Sequence, residues 1–453
     1  MSTRATPLLI LAVALSGAAF AADGYFDPTW AGGGRLVFDA DSSVAGSSDL
    51  QQIAVMPNGN LRLFGRVNDN SDSWLGEMRA DGTWNKSFAE ATGSGRVSLC
   101  LLDNCSGFRA GAIQAGSGHN VVIGVPFLVA TDSTGSLYDS QYSITSGINS
   151  TSGSVAPITL APLPDGKVII AGNGFATSDT SRPLFGVARL NQDLTLDTDF
   201  NAATPGYSGG NVIEVFALDA DETVHDVLVE PSGRLILVGF GNGDADTALD
   251  VARLNADGTL DTTYASGGKA RLTWSQGYID EVGKAVLDHA GRVVIALRGT
   301  TSAFNQEIML AARLTADGNI DSGFGPGAGF AQFSISKACA SIYATSVVID
   351  SAGRILVAGD CANSITDDFI VTRFRGDGYL DASFGINGYS LGEFEAGGSG
   401  SAFDIVLDGS GRPVVGGASD SSGKAGIARL TYDLIYTNNF EITPRGCLPP
   451  DCI

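Results

Sequence analysis

The residues best suited to chemistry in this chain are acidic, and they come in pairs. Asp257 and Asp261 stand four apart around Gly258 in the stretch LNADGTLDTTYASGG. An Asp-Gly loop can offer carboxylates and carbonyls to a hard cation that takes several oxygens at about 2.4 Å, so Ca²⁺ is one reading of the pair. The EF-hand order, D-x-(D/N)-x-(D/N)-G with a later Glu, is met by no copy. The other reading is structural: Asp257 accepts backbone N–H groups in an Asx-turn, Gly258 takes a positive φ, and Asp261 pins the next turn. The arrangement recurs at Asp23/Asp27, Asp317/Asp321 and Asp377/Asp381, with Asp81 and Asn85 as a variant. A catalytic centre has no use for so many copies, whereas a turn does. The turn reading is preferred, and no cofactor is expected beyond this weak case for Ca²⁺.

The remaining reactive groups fall short of a catalytic set. Gly206-Tyr207-Ser208-Gly209-Gly210 matches G-x-S-x-G, but between strand-like runs rather than in the strand-turn-helix that exposes a nucleophile. The Gly-Gly segments lack the Lys-Ser/Thr of a phosphate loop. His119 and His289 flank turn glycines and His225 lies on an apolar run, so zinc spacing is missing and histidine acid–base chemistry is weakly supported. No catalytic residue is assigned, and the enzyme question leans towards no.

The elements that position these residues are repeats. ARLNADGTLDTTYASGG at Ala252 is echoed by ARLTADGNIDSGFGPGAG at Ala312 and TRFRGDGYLDASFGINGY at Thr372. Each copy follows a turn glycine and an apolar run, as in EPSGRLILVG and DSAGRILVAG; the glycines are Gly59, Gly118, Gly166, Gly233, Gly291, Gly353 and Gly411. A unit of roughly sixty residues reads as four short strands, the blade of a β-propeller. Just beyond the leader, DGYFDPTWAGGGRLVF matches the second half of a unit, while the last unit stops after its third strand. The expectation is therefore an all-β, seven-bladed propeller with four antiparallel strands per blade, closed by the N-terminal strand around Arg35–Ala40 pairing with the last blade.

The paired signature, P-x-G-(K/R) with an apolar run and then A-R-(L/F)-x-x-D-G-x-(L/I)-D-x-x-F-G, resembles the delta-60 repeat family of bacterial secreted proteins over roughly Asp23 to Leu434. That resemblance implies a propeller-like fold and export. It implies no common activity.

Composition agrees with an exported all-β chain. Sixty glycines and only 17% charged residues suit strands broken by tight turns. Residues 1–21 read as a signal peptide cut after Ala21, 22–437 as the propeller, and 438–453 as a tail; secretion or a periplasmic location follows. No other apolar run reaches membrane length, so membrane insertion is not expected. The formal charge of −22 disfavours nucleic acid and leaves a protein, a polymer or a cation as partner, with the chain itself a monomer. Six cysteines in an exported chain read as disulfides: Cys339 with Cys361, and the local pairs Cys100/Cys105 and Cys447/Cys452.

Two candidate binding regions follow. Seven residues before each turn glycine stand Gln52, Gly111, Thr159, Asp226, Lys284, Ser346 and Asp404, polar in six of seven cases among apolar neighbours. If the first strand of each unit is innermost, they ring a channel, as a hydrogen-bonded throat or as a ligand or cation site using Asp226 and Asp404. The loops VNDNSDS, LDADETV, GNGDADTA and SITDD would meet on one acidic face. The preferred function is a non-catalytic scaffold that binds through this face or the channel. The alternative is a propeller-type hydrolase or lyase using the channel carboxylates with Ca²⁺.

Overall fold

The computed structural model describes residues 23–39, 47–67, 72–89, 93–99, 108–113, 119–124, 127–132, 134, 142–143, 148–150, 153–176, 179–202, 210–213, 221–242, 247–303, 306–326, 328–335, 339–362, 367–420 and 422–432. They form antiparallel sheets, labelled A to G in the order of their first strands, and among them no helix is long and apolar enough to cross a membrane. Sheet D shows the plan: Asp221–Val229 pairs with Leu235–Asn242, which pairs with Thr247–Leu254, which pairs with Lys269–Leu272. Sheets E and F repeat it, beginning at Gly277–Leu287 and Ser341–Ile349.

The middle strands are buried on both faces because each sheet is covered by its two neighbours. Leu235 and Leu237 of sheet D face Ile169 and Phe185 of sheet C, while Ile236 and Val238 face Ile295 and Leu297 of sheet E. Alternate residues of one strand therefore enter two different cores, which is why these runs are continuously apolar. The first strands lie innermost, each against the first strand of the next sheet, and Ser401–Leu407 returns to Ser48–Val55. Nearly every first strand carries a bulge just before its channel position, as between Val224 and Asp226 or Ala402 and Asp404. A bulge bends the strand and re-aims the next side chain.

The expectation of a seven-bladed propeller with four strands in every blade is corrected by the sheet topology. Six sheets have the four-stranded blade form; the remaining sheet, C, has five strands. Its first strand, Gly153–Pro162, is preceded by Ile148–Ser150, which folds back on it with Ile148 opposite Val155 and Ser150 opposite Gly153. The Ser, Thr and Gly residues of INSTSGSV make that hairpin, and the repeat pattern gives no hint of it. In sheet G the fourth strand is Arg35–Phe38, pairing with Lys424–Arg429 from Arg35 opposite Ala428 to Phe38 opposite Ala425. The chain ends are joined inside one sheet.

The recurring motif builds the joint between sheets. The arginine of A-R-L sits at the end of the third strand and pairs through Nε with the second aspartate of its own D-G-x-L-D: Arg253 with Asp261 at 2.9 Å, Arg313 with Asp321 at 2.8 Å, Arg373 with Asp381 at 2.8 Å. Its Nη1 crosses to the next unit's turn, from Arg253 to the carbonyl of Ala316 at 2.9 Å and from Arg313 to that of Gly376 at 2.5 Å. The guanidinium lies over the motif's aromatic ring, 4.4 Å from the centre of Tyr264 and 4.2 Å from that of Phe324. The residue after the aromatic donates its N–H to the carbonyl of the next Asp-Gly, from Ala265 to Asp317 at 2.7 Å and from Gly325 to Asp377 at 2.8 Å. Arg429 and Asp27 make the same pair across the closure, with Trp30 as the ring. In sheet A the charges are exchanged: Glu77 takes the arginine's place and Arg62 on the adjoining strand supplies the guanidinium over Phe88.

The motif's glycine is fixed by this joint. Gly318 has φ +83°, and a Cβ there would lie 2.5 Å from the Tyr264 ring, whereas Gly353, with φ +76°, faces open space. Gly353→Ala should cost about 1 kcal/mol for the backbone alone. Gly318→Ala should cost about 3 kcal/mol by adding the overpacking of a buried ring. Equal losses in chemical denaturation would contradict the joint.

Cys339 and Cys361 are bridged, with Cα atoms 5.1 Å apart. Cys361 lies within the second strand of sheet F, opposite Ile342, rather than beyond its end. The expected pairs Cys100/Cys105 and Cys447/Cys452 lie outside the described residues, as do the leader and the tail, so neither Cys100 with Cys105 nor Cys447 with Cys452 joins the bridge that the structure contains. Closing a loop of 22 residues should stabilise by about 3 kcal/mol, so Cys339→Ser with Cys361→Ser should lose roughly that in denaturant titrations.

Candidate functional site

The channel positions come together as three carboxylate-centred contacts. Asp404, 3% exposed, is the most heavily used. Its Oδ1 accepts from Ser346 Oγ at 2.9 Å and from Ile405 N–H at 3.0 Å, and meets Lys284 Nζ at 2.8 Å. Its Oδ2 accepts from the N–H of Ile53 in sheet A at 2.8 Å. Asp226 has the same role at an earlier seam, accepting from Val227 N–H and, across to sheet E, from Ala285 N–H, both at 2.8 Å. Burial pushes the Asp226 carboxyl up, against the pull of Ala285 N–H and Lys284, and Asp404 adds repulsion. Gln52 and Thr159 are half-buried at their expected register, and Gly111 lies on the first strand of sheet B. The innermost carboxylates thus bind neighbouring sheets through backbone N–H groups.

That use leaves Asp404 little capacity for a ligand, because its lone pairs already meet four donors. Removing it would strand Lys284 and the N–H of Ile53. Asp404→Ala should therefore destabilise by about 3–5 kcal/mol in urea titrations, and Asp404→Asn by less. A loss below about 1 kcal/mol would show that the contact is dispensable.

Asp257 and Asp261 are occupied in the same way. Asp257 Oδ1 accepts from Thr259 N–H at 2.9 Å and its hydroxyl at 2.6 Å; Asp261 Oδ1 accepts from Thr263 in the same manner, while its Oδ2 meets Arg253. The Thr259 bonds hold the Asp257 carboxyl below its ordinary value. Among the described residues no group of three or more His, Cys, Asp or Glu side chains is placed to hold a metal. His289 is exposed; His225 is half-buried at the bulge before Asp226, and burial lowers its imidazole. Gly206 to Gly209 and the side chain of His119 lie outside the described residues.

A group that the repeat pattern does not single out lies at the channel mouth, on the face where the second strands end. Asp360 accepts from Ala402 N–H at 2.6 Å, and Asp420 accepts from Ser401 Oγ at 3.2 Å, so both carboxyls flank the start of one first strand. Burial pushes Asp360 up to about 7, with Asp420, Asp367 and Glu281 repelling it further. Asp420 is raised by burial and by Asp367, and Asp368 by burial, Glu393 and Asp367. Beside them a pocket of about 300 Å³ is lined by Asp49, Arg66, Phe403 and Asp420 with the Ser47, Ser48 and Ser419 residues. Its single arginine is already taken, since Arg66 Nη2 meets Asp49 Oδ2 at 2.7 Å. The mouth therefore keeps uncompensated negative charge beside a half-buried aromatic ring.

Comparison with known proteins bears on the fold. Residues 163–200, 230–264 and 353–384 match the family model described as "Domain of unknown function (DUF5122) beta-propeller". No curated protein matches the chain. Among solved structures, Sqt1 of Chaetomium thermophilum is 11% identical with a TM-score of 0.48, covering 88% of this chain and 100% of its own. The PQQ-bound aldose sugar dehydrogenase of Streptomyces coelicolor is 12% identical with a TM-score of 0.39, covering 87% and 98%. Prolyl oligopeptidase B of Galerina marginata is 10% identical with a TM-score of 0.40, covering 88% of this chain and 48% of its own. At these scores the likenesses carry no argument about activity. Sheet topology and the matched segments together make this a β-propeller built from a recurring unit.

Proposed function

We propose that the chain is an exported, non-catalytic scaffold of the delta-60 repeat type whose acidic mouth binds a cationic segment of a protein or polymer. One observation carries this reading: Asp360, Asp367, Asp420 and Glu281 repel one another at the mouth strongly enough to push Asp360 up to about 7. A lysine or arginine side chain placed there would relieve that repulsion, and the half-buried Phe403 ring offers it a face. Export and the division into leader, propeller and tail belong to the same reading, which the Cys339–Cys361 bridge supports. The saturated oxygens of Asp404 count against a hydrolase or lyase built on the channel carboxylates.

Fluorescence anisotropy with a labelled tetra-arginine peptide tests the proposal. Binding should weaken with salt, and Asp420→Asn with Asp360→Asn should weaken it about tenfold. Asp193→Asn removes an exposed charge in the turn after the third strand of sheet C and should change affinity less than about twofold. Equal losses in both variants would mean that net charge alone attracts the peptide, and the proposed site would fall.

A further inference from the structure

The repeat has one charge where its other copies are apolar. Asp250 lies on the third strand of sheet D four residues before Leu254; the matching residues before Leu314 and Phe374 are Leu310 and Ile370. All three are wholly buried. Asp250 pairs across the strands with Gly239 and Arg271, on the side where Phe185 of sheet C packs against Gly239. Neither carboxylate oxygen has a hydrogen-bond donor, and the nearest cation is Arg271, whose Nε stands 3.4 Å from Oδ1. Arg271 also reaches the carbonyl of Gly241 through Nη2 at 3.3 Å. A second carboxylate, Glu222, is 1% exposed and lies opposite Gly241 on the first strand.

The groups facing Asp250 can be named by element. The first strand presents Glu222, the second presents Gly241 with no side chain, and the fourth presents Arg271. From the facing strand of sheet C, Phe185 and Val187 carry no charge. A carboxylate without donors in such a place is costly when charged and cheap when protonated. Every sheet–sheet contact in this fold is a seam, and this is the seam beside the five-stranded sheet.

We propose that Asp250, with Glu222 and Arg271, is a proton-operated latch on the seam between sheets C and D. Below neutrality the Asp250 carboxyl keeps its O–H bond and the seam is quiet. As pH rises that bond breaks, the proton leaves to water, and the seam holds a bare carboxylate with Glu222 nearby. Burial, with Glu222 adding to it and Arg271 opposing it, pushes the Asp250 carboxyl up to about 7. The unfolded carboxyl titrates near its ordinary value of about 4. The folded chain thus holds the extra proton between those limits, so stability falls as pH rises through that window and levels off above it.

Melting temperatures of the full chain from pH 5.5 to 8.5 test the latch, with hydrogen exchange corrected for the intrinsic effect of pH. Wild type should lose about 3 °C more over this range than Asp250→Leu, which restores the repeat's apolar residue, or Asp250→Asn, which keeps the shape. Exchange at pH 8.5 should rise in Asp179–Leu190 and Thr247–Leu254 of wild type and stay flat in both variants. Glu222→Gln should move the midpoint of the decline to lower pH. Slopes that match in wild type and Asp250→Asn would overturn the proposal, as would exchange that rises equally in sheets E and F.

Discussion

The structure depends on one repeated joint, in which an arginine at the end of a third strand holds its own unit's second aspartate and the next unit's turn together. The interaction is more than an ion pair. The guanidinium is planar and forked, so it can meet Asp261 through Nε, the Ala316 carbonyl through Nη1 and the Tyr264 ring through its face. A lysine could make only one of these contacts well. Arg253 and Arg373 are almost completely buried, and their partners are buried with them, so each joint works at low dielectric where a missing partner is costly. Strand pairing makes each sheet; the joint sets the spacing from one sheet to the next and then joins the last to the first.

The innermost ring is held by a related device on a smaller scale. Asp226 and Asp404 spend their oxygens on N–H groups of the following sheet, so the residues that look most like a ligand site act as fasteners. What remains for function is charge that the frame does not consume. At the mouth, Asp360 and Asp420 each keep one weak neutral partner while several carboxylates face them. A rigid frame saturated with internal contacts leaves its unpaired groups on the loops, which suits recognition better than chemistry.

Much of this was legible because the turn motif obeys local rules. The Asx-turns at Asp257 and Asp261, the closure by Arg35–Phe38 and the Cys339–Cys361 bridge follow from copies that align with one another. The uniform blade count failed at sheet C, because a short hairpin can be appended wherever Ser, Thr and Gly cluster and the repeat does not encode it. The pairing of Asp360 with Asp420 was invisible for a different reason: sixty residues separate two carboxyls that meet only when neighbouring sheets are aligned. Asp250 was visible in principle, as a charge aligned with Leu310 and Ile370, but only a comparison down the third-strand column exposes it.

The most direct test of the joint is a double-mutant cycle on the copy that closes the ring, Arg429 with Asp27, which stand 2.9 Å apart on opposite ends of the chain. The exposed pair Arg375 with Asp377, 3.1 Å apart, serves as the reference. Arg429→Met, Asp27→Asn and the double variant should give a coupling energy above about 1.5 kcal/mol in equilibrium unfolding, against roughly 0.5 kcal/mol or less for the exposed pair. A coupling at Arg429 and Asp27 no larger than the reference would contradict the claim that this joint holds the ring closed.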